Sequence, residues 1–295
     1  MRKLLATACL LIFLNMAFSE SVHAECTVSW GQVINSQAEH QNCFRDFGGD
    51  TQHFSMNWLT SGSWNGAEGY TRWRVTQTLG EDDDGYWINF PTTGSRSIFL
   101  SFVARVGPHW WSSHTADTFK FVMFYPSIGT NPRPTIFNLP IRDPSGRYMY
   151  RTFGPDLEAG GQGCDQFGNC NHDQSSAYPD HTYKEGASGH NQWYFIVMSL
   201  EGDKTKTYIW SQDGRMSGLY AQSLPANSSL LSSWNAQTWR TVRLLAYIKG
   251  TIAGDAQAYM DIGHIAVSQT LPTAPAGFVT GTIPEPMPPT DVVAD

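Results

Sequence analysis

An all-β sandwich or jelly roll is the fold class that this 295-residue sequence predicts. Three observations predict it. Stretches rich in Val, Ile, Phe, Tyr, Trp and Thr alternate between apolar and polar positions along most of the chain. Gly, Pro, Asp and Asn clusters separate them, and sustained helical periodicity is missing. Long strands without helices to cover them must bury one sheet against another.

The elements follow in chain order. Strands are expected at 69–79 (GYTRWRVTQTL), 97–106 (SIFLSFVARV), 118–126 (TFKFVMFYP) and 147–153 (RYMYRTF). Further strands are expected at 192–200 (QWYFIVMSL), 206–212 (KTYIWSQ), 239–250 (WRTVRLLAYIKG) and 256–268 (AQAYMDIGHIAVS). EDDDG, PTTGS, RDPSG, EAGGQG, QDG and GTIAGD supply the turns between them. Only SLLSSWNAQ can hold a turn or two of helix. No internal repeat is visible. From Leu271 the text is too rich in proline and too poor in large apolar residues to pack, so 271–295 reads as a mobile tail or linker, and 25–270 as one domain.

Residues 1–24 begin with Arg2 and Lys3, continue through an apolar run from Leu4 to Leu14 and end in Val22-His23-Ala24. That is the pattern of a secretory signal peptide, so an extracellular or periplasmic destination is expected. No later segment reaches the roughly 20 apolar residues of a spanning helix, and no membrane association is expected. The whole chain carries a net charge of −7, and loss of Arg2, Lys3 and Glu20 takes it to −8. Nucleic acid is therefore excluded as a partner class, and a monomer is expected. Beyond the leader, Cys26, Cys43, Cys164 and Cys170 remain. Export favours disulfides, and of the three connectivities the local pairs Cys26–Cys43 and Cys164–Cys170 are expected.

One stretch invites a functional reading. In VRLLAYIKG, strand alternation sends Val242, Leu244, Ala246 and Ile248 one way and Arg243, Leu245, Tyr247 and Lys249 the other. The first set reads as core, while the second carries two cations and a phenol.

The order of the last elements resembles a known pattern. Trp-led QWYFIVMSL is followed by TYIWSQDG, then Trp-led WRTVRLLAYIKG and terminal AYMDIGHIAVS. This is similar to the concanavalin A-like lectin/glucanase jelly roll, in particular its secreted polysaccharide lyases. The resemblance implies two curved antiparallel sheets, with an open cleft for polysaccharide on one of them. The glucanase string E-x-D-x-x-E is missing, as are the alginate-lyase strings R-x-E-x-R and Q-[IV]-H. AYIKG keeps Tyr247, Lys249 and Gly250 in the spacing of the lyase element Y-x-K-x-G.

A lyase must neutralise a uronate carboxylate, remove the C5 proton and protonate the departing oxygen. Arg243, Arg72 and Arg74 are candidates for carboxylate binding, with Lys249 and Lys120 adding subsite charge. A positive cleft on an acidic protein would concentrate an acidic polysaccharide. The loop YPDHTYKEGASGHNQW offers Tyr183, His190 and Gln192, with His190 as base or neutraliser and Tyr247 or Tyr183 as proton donor. In PHWWSSH, adjoining Trp110 and Trp111 suggest an outward ring for stacking on sugar. The same residues would serve a non-catalytic carbohydrate-binding module. Glycoside hydrolysis is the third reading, but Asp156 and Glu158 do not form a compelling carboxylate pair. This chemistry requires no cofactor. EDDDG and CDQFGNCNHD, the latter with Asp165, Asn169, Asn171 and Asp173, can offer oxygen ligands to a structural Ca2+ or serve as ordinary turns.

Overall fold

A computed structural model describes residues 26–45, 54–75, 81–82, 85–93, 97–110, 119–126, 134–137, 141–142, 151–152, 182–183, 187–188, 192–202, 204–222, 232, 238–249 and 254–278. In chain order they form β1 (Cys26–Thr27), β2 (Val33–Ile34), helix α1 (Gln37–Cys43), β3 (Phe44–Arg45), β4 (Phe54–Leu59) and β5 (Tyr70–Val75). Next come β6 (Glu81–Asp82), β7 (Gly85–Thr93), β8 (Ser97–Val106), β9 (Phe119–Pro126), β10 (Thr135–Phe137), β11 (Ile141–Arg142) and β12 (Arg151–Thr152). The rest are β13 (Thr182–Tyr183), β14 (Ala187–Ser188), β15 (Tyr194–Glu201), β16 (Lys204–Ser211), β17 (Ser217–Gln222), β18 (Trp239–Lys249) and β19 (Tyr259–Ser268).

Two sheets make the jelly-roll sandwich. One has eight strands in the order β1-β7-β18-β9-β10-β12, with β3 on β7 and β6 on β18. The other has nine, β13-β17-β16-β15-β8-β19-β5-β4, with β2 on β19. Within these sheets every described pairing is antiparallel except β1 with β7; the separate β11–β14 ladder is also parallel. The core lies between the sheets. Ile88, Phe121, Phe124, Val242 and Leu244 come from the first, and Leu100, Phe102, Ile196, Met198, Met260 and Ile262 from the second. Each such side chain removed from water contributes about 1.5–3 kcal/mol.

A second apolar cluster covers the outer face of the nine-stranded sheet. It joins Trp64, Tyr70, Phe99, Val103, Trp193, Phe195, Tyr208 and Trp210, with Leu271, Ala274 and Phe278 packed on it. Strands β8 and β15 are therefore buried on both faces rather than alternating. The packed body consequently continues past Ser268 to Phe278, which is 8% exposed, correcting the expectation of a mobile tail from Leu271. Leu271 and Phe278 find an aromatic surface to cover, which the proline content of the segment concealed.

Helix α1 was not expected from periodicity. Its start is nonetheless written in Ser36-Gln37-Ala38-Glu39: the Ser36 side chain accepts from the Glu39 N–H, and the Glu39 carboxylate accepts from the Ser36 N–H. The expected Cys26–Cys43 disulfide is present and ties the helix to β1. Cys164 and Cys170 lie outside the described residues. Among the described residues no helix is long and apolar enough to cross a membrane.

Candidate functional site

Three adjacent strands of the eight-stranded sheet, β7, β18 and β9, present a polar and aromatic face away from the core. Tyr86, Ile88, Val242, Leu244, Val122 and Phe124 point into the sandwich, so the alternate residues point out. Register aligns them in two rows: Trp87, Arg243 and Met123 in one, Asn89, Thr241 and Tyr125 in the next.

The rows are bonded to one another. The Arg243 guanidinium lies 4.1 Å from the Trp87 ring centroid, a cation–π distance. Its Nη1 donates to the Tyr125 hydroxyl at 2.9 Å. Tyr125 in turn points its hydroxyl at Met123 Sδ, 3.7 Å away. Thr241 donates to the Asn89 side-chain oxygen. The Trp87 and Tyr125 rings meet over the central strand, centroids 5.5 Å apart and planes tilted 34°. Both rings are half-buried, whereas Arg243 is only 3% exposed. The accessible part of this face is thus an aromatic pair with a guanidinium beneath it.

That arrangement changes the expected role of Arg243. It is sealed under the rings and holds the Tyr125 hydroxyl, rather than standing open to a carboxylate. The alternation predicted beyond it also fails. Leu245 is fully buried in the same core as Leu244 and adopts φ 60. Between Leu244 and Tyr247 the register with β9 slips by one residue, a β-bulge. Tyr247 pairs with Lys120, and Lys249 with Glu81, at one end of these strands. The side chains of Tyr247, Lys249 and Lys120 lie outside the described part. The pairing of Glu81 and Asp82 with β18 makes the start of EDDDG a strand.

Arg72 and Arg74 belong to the other sheet. Arg72 grips the fully buried Asp261 with two bonds, 2.7 and 2.8 Å, and lies 3.8 Å from the Tyr259 ring centroid. Arg105 reaches the same carboxylate at 2.6 Å from the opposite side. Register sets Arg72, Asp261 and Arg105 in one row across β5, β19 and β8. The bond to Asp261 holds the Arg72 guanidinium even more firmly charged than usual. Arg72 is thus a structural partner of Asp261, and it does not share a face with Arg243.

The remaining candidates disperse. Trp110 is 1% exposed within the sandwich core, where the turn after β8 folds it, so it is not the outward ring expected of the Trp110–Trp111 pair. Gln192 leads into β15, where its side-chain oxygen accepts from the Tyr194 hydroxyl at 3.3 Å. Burial pushes the Tyr194 phenol far up. Tyr183 stands in edge strand β13 of the nine-stranded sheet, its backbone paired with Ala221. His190, Trp111 and the 164–173 loop lie outside the described residues. No group of three His, Cys, Asp or Glu gathers as a metal site among the described residues.

Trp87, Asn89 and Tyr125 were missed as site residues. GYWINF carried a signal, a Trp between glycine-led alternating residues. Tyr125 was visible as the single phenol of an apolar strand.

No family model and no curated protein sequence matches the chain. Among solved structures it is similar to the marine PL-14 alginate lyase from Aplysia kurodai, at 10% identity and a TM-score of 0.42, over 73% of this chain and 87% of that one. It is also similar to the VIP36 exoplasmic/lumenal domain in its Ca2+/Man3GlcNAc-bound form, at 10% identity and 0.35, over 83% and 90% of the two chains. A third is lectin I-B4 from Griffonia simplicifolia, metal-free form, at 11% and 0.33, over 77% and 97%. No argument about ligand or reaction rests on likeness at this level.

Proposed function

We propose that the protein engages polysaccharide on the outer face of the eight-stranded sheet. The observation that carries this is the half-buried Trp87–Tyr125 pair, braced from below by Arg243. Flat rings with one polar tip suit the apolar face and hydroxyl rim of a sugar ring. Asn89 and Thr241 beside them are the kind of hydrogen-bonding groups that fix orientation.

Within that reading, the reaction proposed is β-elimination on a uronate-containing glycan, as expected of a secreted polysaccharide lyase. Tyr125 is the proton-transfer group. Its oxygen, positioned by the Arg243 guanidinium, takes the C5 proton as its own hydroxyl proton passes to the departing glycosidic oxygen, so the phenol is regenerated. The Arg243 charge beneath the platform biases the face toward an anionic chain. The sealing of Arg243 favours a second reading, a carbohydrate-binding module that uses the same rings without cleavage.

Incubation with alginate, glucuronan, pectin and heparin, followed at the ultraviolet absorbance of an unsaturated uronate, separates the two. New absorbance that is lost in Tyr125→Phe supports the lyase. Binding without absorbance supports the module. Neither binding nor absorbance on acidic or neutral glycans overturns the proposal.

A further inference from the structure

The loop that joins β4 to β5 is pinned on both sides of an open tip. Before the tip, the Trp64 ring lies in the outer aromatic cluster, edge-on to Trp193 with centroids 5.4 Å apart. The Trp64 carbonyl oxygen accepts from Gln212 Nε2 at 2.9 Å. After the tip, the Glu68 carboxylate accepts from the Asn35 side-chain amide. Gly69 is buried where a Cβ would run into the Trp58 ring. Asn65, Gly66 and Ala67, between these anchors, are exposed.

The tip holds the single Asn-Gly pair of the sequence. Gly66 takes φ 76, and even a Cβ placed on it would meet nothing within 4 Å, so no side chain shields its backbone nitrogen. The Asn65 side-chain oxygen accepts from the Ala67 N–H and from the Glu68 N–H, both at 3.0 Å. Such bonds are how an asparagine closes a turn on its own backbone. They also have a chemical consequence. Two N–H groups aimed at one carbonyl oxygen polarise it and stabilise negative charge that develops there, as in an oxyanion hole. The amide carbon so activated is within the same five-membered ring that the Gly66 nitrogen closes by attacking it.

We infer that Asn65 is a modification site, at which the folded protein converts asparagine to aspartate and isoaspartate without an enzyme. The Gly66 N–H loses its proton to hydroxide, and the nitrogen attacks the Asn65 amide carbon. The bond from that carbon to the side-chain nitrogen breaks, and ammonia leaves with a proton taken from water. One water molecule then opens the succinimide at either of its carbonyls, with no oxidant or reductant involved.

The two products differ in what they do to the loop. Aspartate keeps both backbone bonds, now charge-assisted. Isoaspartate adds a methylene to the main chain between the pinned Trp64 and Glu68. The C-terminal segment rests on this loop, since a Cβ on Gly277 would lie 2.8 Å from the Trp64 carbonyl oxygen. Isoaspartate therefore loosens the cover of the outer aromatic cluster. The site is on the opposite sheet from the Trp87–Tyr125 face and independent of any action on polysaccharide.

Full-length chain is aged at neutral and at mildly alkaline pH, folded in buffer and unfolded in guanidinium. Peptide mass spectrometry follows each asparagine, and methyltransferase labelling counts isoaspartate. Asn65 in the folded chain should convert within about tenfold of its rate in the unfolded chain, and faster in alkali. Asn89, which is 6% exposed, should stay intact in the folded chain. Asn65→Asp should melt with unaged wild type, whereas aged chain enriched in isoaspartate should melt lower. Conversion of Asn65 slowed by folding more than about tenfold would mean that the turn protects the amide, and overturns the assignment. Equal melting of isoaspartate-rich chain and Asn65→Asp overturns the loosening of the cover.

Discussion

Asp261→Asn isolates the physics of the nine-stranded sheet. The carboxylate has no exposed side-chain surface, and its two guanidinium partners are 19% and 14% exposed. Removing one partner of a buried ion pair costs about 3–5 kcal/mol, because the other charge stays behind unpaired. Here two cations are left facing each other, and asparagine turns an amide N–H toward one of them. Both guanidiniums retain some solvent, and Arg105 keeps its bonds to the Tyr70 hydroxyl and the Gly62 carbonyl. The lower end of the range, about 3 kcal/mol, is therefore expected. Urea unfolding followed by tryptophan fluorescence reads it. With a slope of about 1–3 kcal/mol per molar, the midpoint should fall by about 1 M or more. Arg72→Gln should lose less, since Arg105 still pairs the carboxylate, and the double variant should fall short of the sum. A midpoint within about 0.2 M of wild type for Asp261→Asn would refute the reasoning, since surface pairs contribute only that little.

Other perturbations follow from the same geometry. Burial holds His40 at a pKa of about 4, against an ordinary 6.5. The unfolded chain binds a proton in that window that the folded chain refuses, so stability is full above about pH 6.5 and falls on the order of 3 kcal/mol as pH drops toward 4. Urea midpoints at intervals between those pH values should show this slope, and His40→Phe should flatten it. Trp110→Ala empties part of the core and should cost about 3–5 kcal/mol by thermal or urea unfolding, without changing glycan affinity in the surviving folded protein. Gly85→Ala would place a Cβ 2.5 Å from the Leu245 carbonyl oxygen and 2.6 Å from that of Leu244. Backbone cannot yield as a flexible side chain does, so β7 must move from β18. Stability should fall by about 1–3 kcal/mol, and Trp87, two residues along, should lose its seat on Arg243; fluorescence of the folded variant checks the second effect.

The fold was legible because its longest strands announce themselves. SIFLSFVARV spans Ser97 to Val106 as expected, and WRTVRLLAYIKG differs from β18 by its final glycine. Strand β7 escaped notice because Pro91 and the two threonines after it read as a turn, yet it extends to Thr93. The site was less legible for reasons of geometry. Strand alternation holds only while register holds, and one left-handed residue, Leu245, ends it. A sequence also does not say which strands share a sheet. Arg72 and Arg243 carry the same chemistry, but one answers a buried Asp261 and the other braces an aromatic pair on the opposite sheet. Arg72, read as ligand-binding, is structural, and so is Arg105 on the other side of Asp261, because their shared counter-charge lies about 150 or more residues away in sequence. Sequence distance hides such partners.

The most direct test of the polysaccharide face compares glycan affinity of Trp87→Ala with that of Arg72→Gln. Aromatic contacts of this kind are worth about 0.5–1.5 kcal/mol beyond area burial, and tenfold in affinity is about 1.4 kcal/mol. Affinity electrophoresis or calorimetry on the best-bound acidic glycan should show about a tenfold or greater loss for Trp87→Ala, with Arg72→Gln within about twofold of wild type. Undiminished binding by folded Trp87→Ala, together with loss in Arg72→Gln, would move recognition to the nine-stranded sheet and contradict the account.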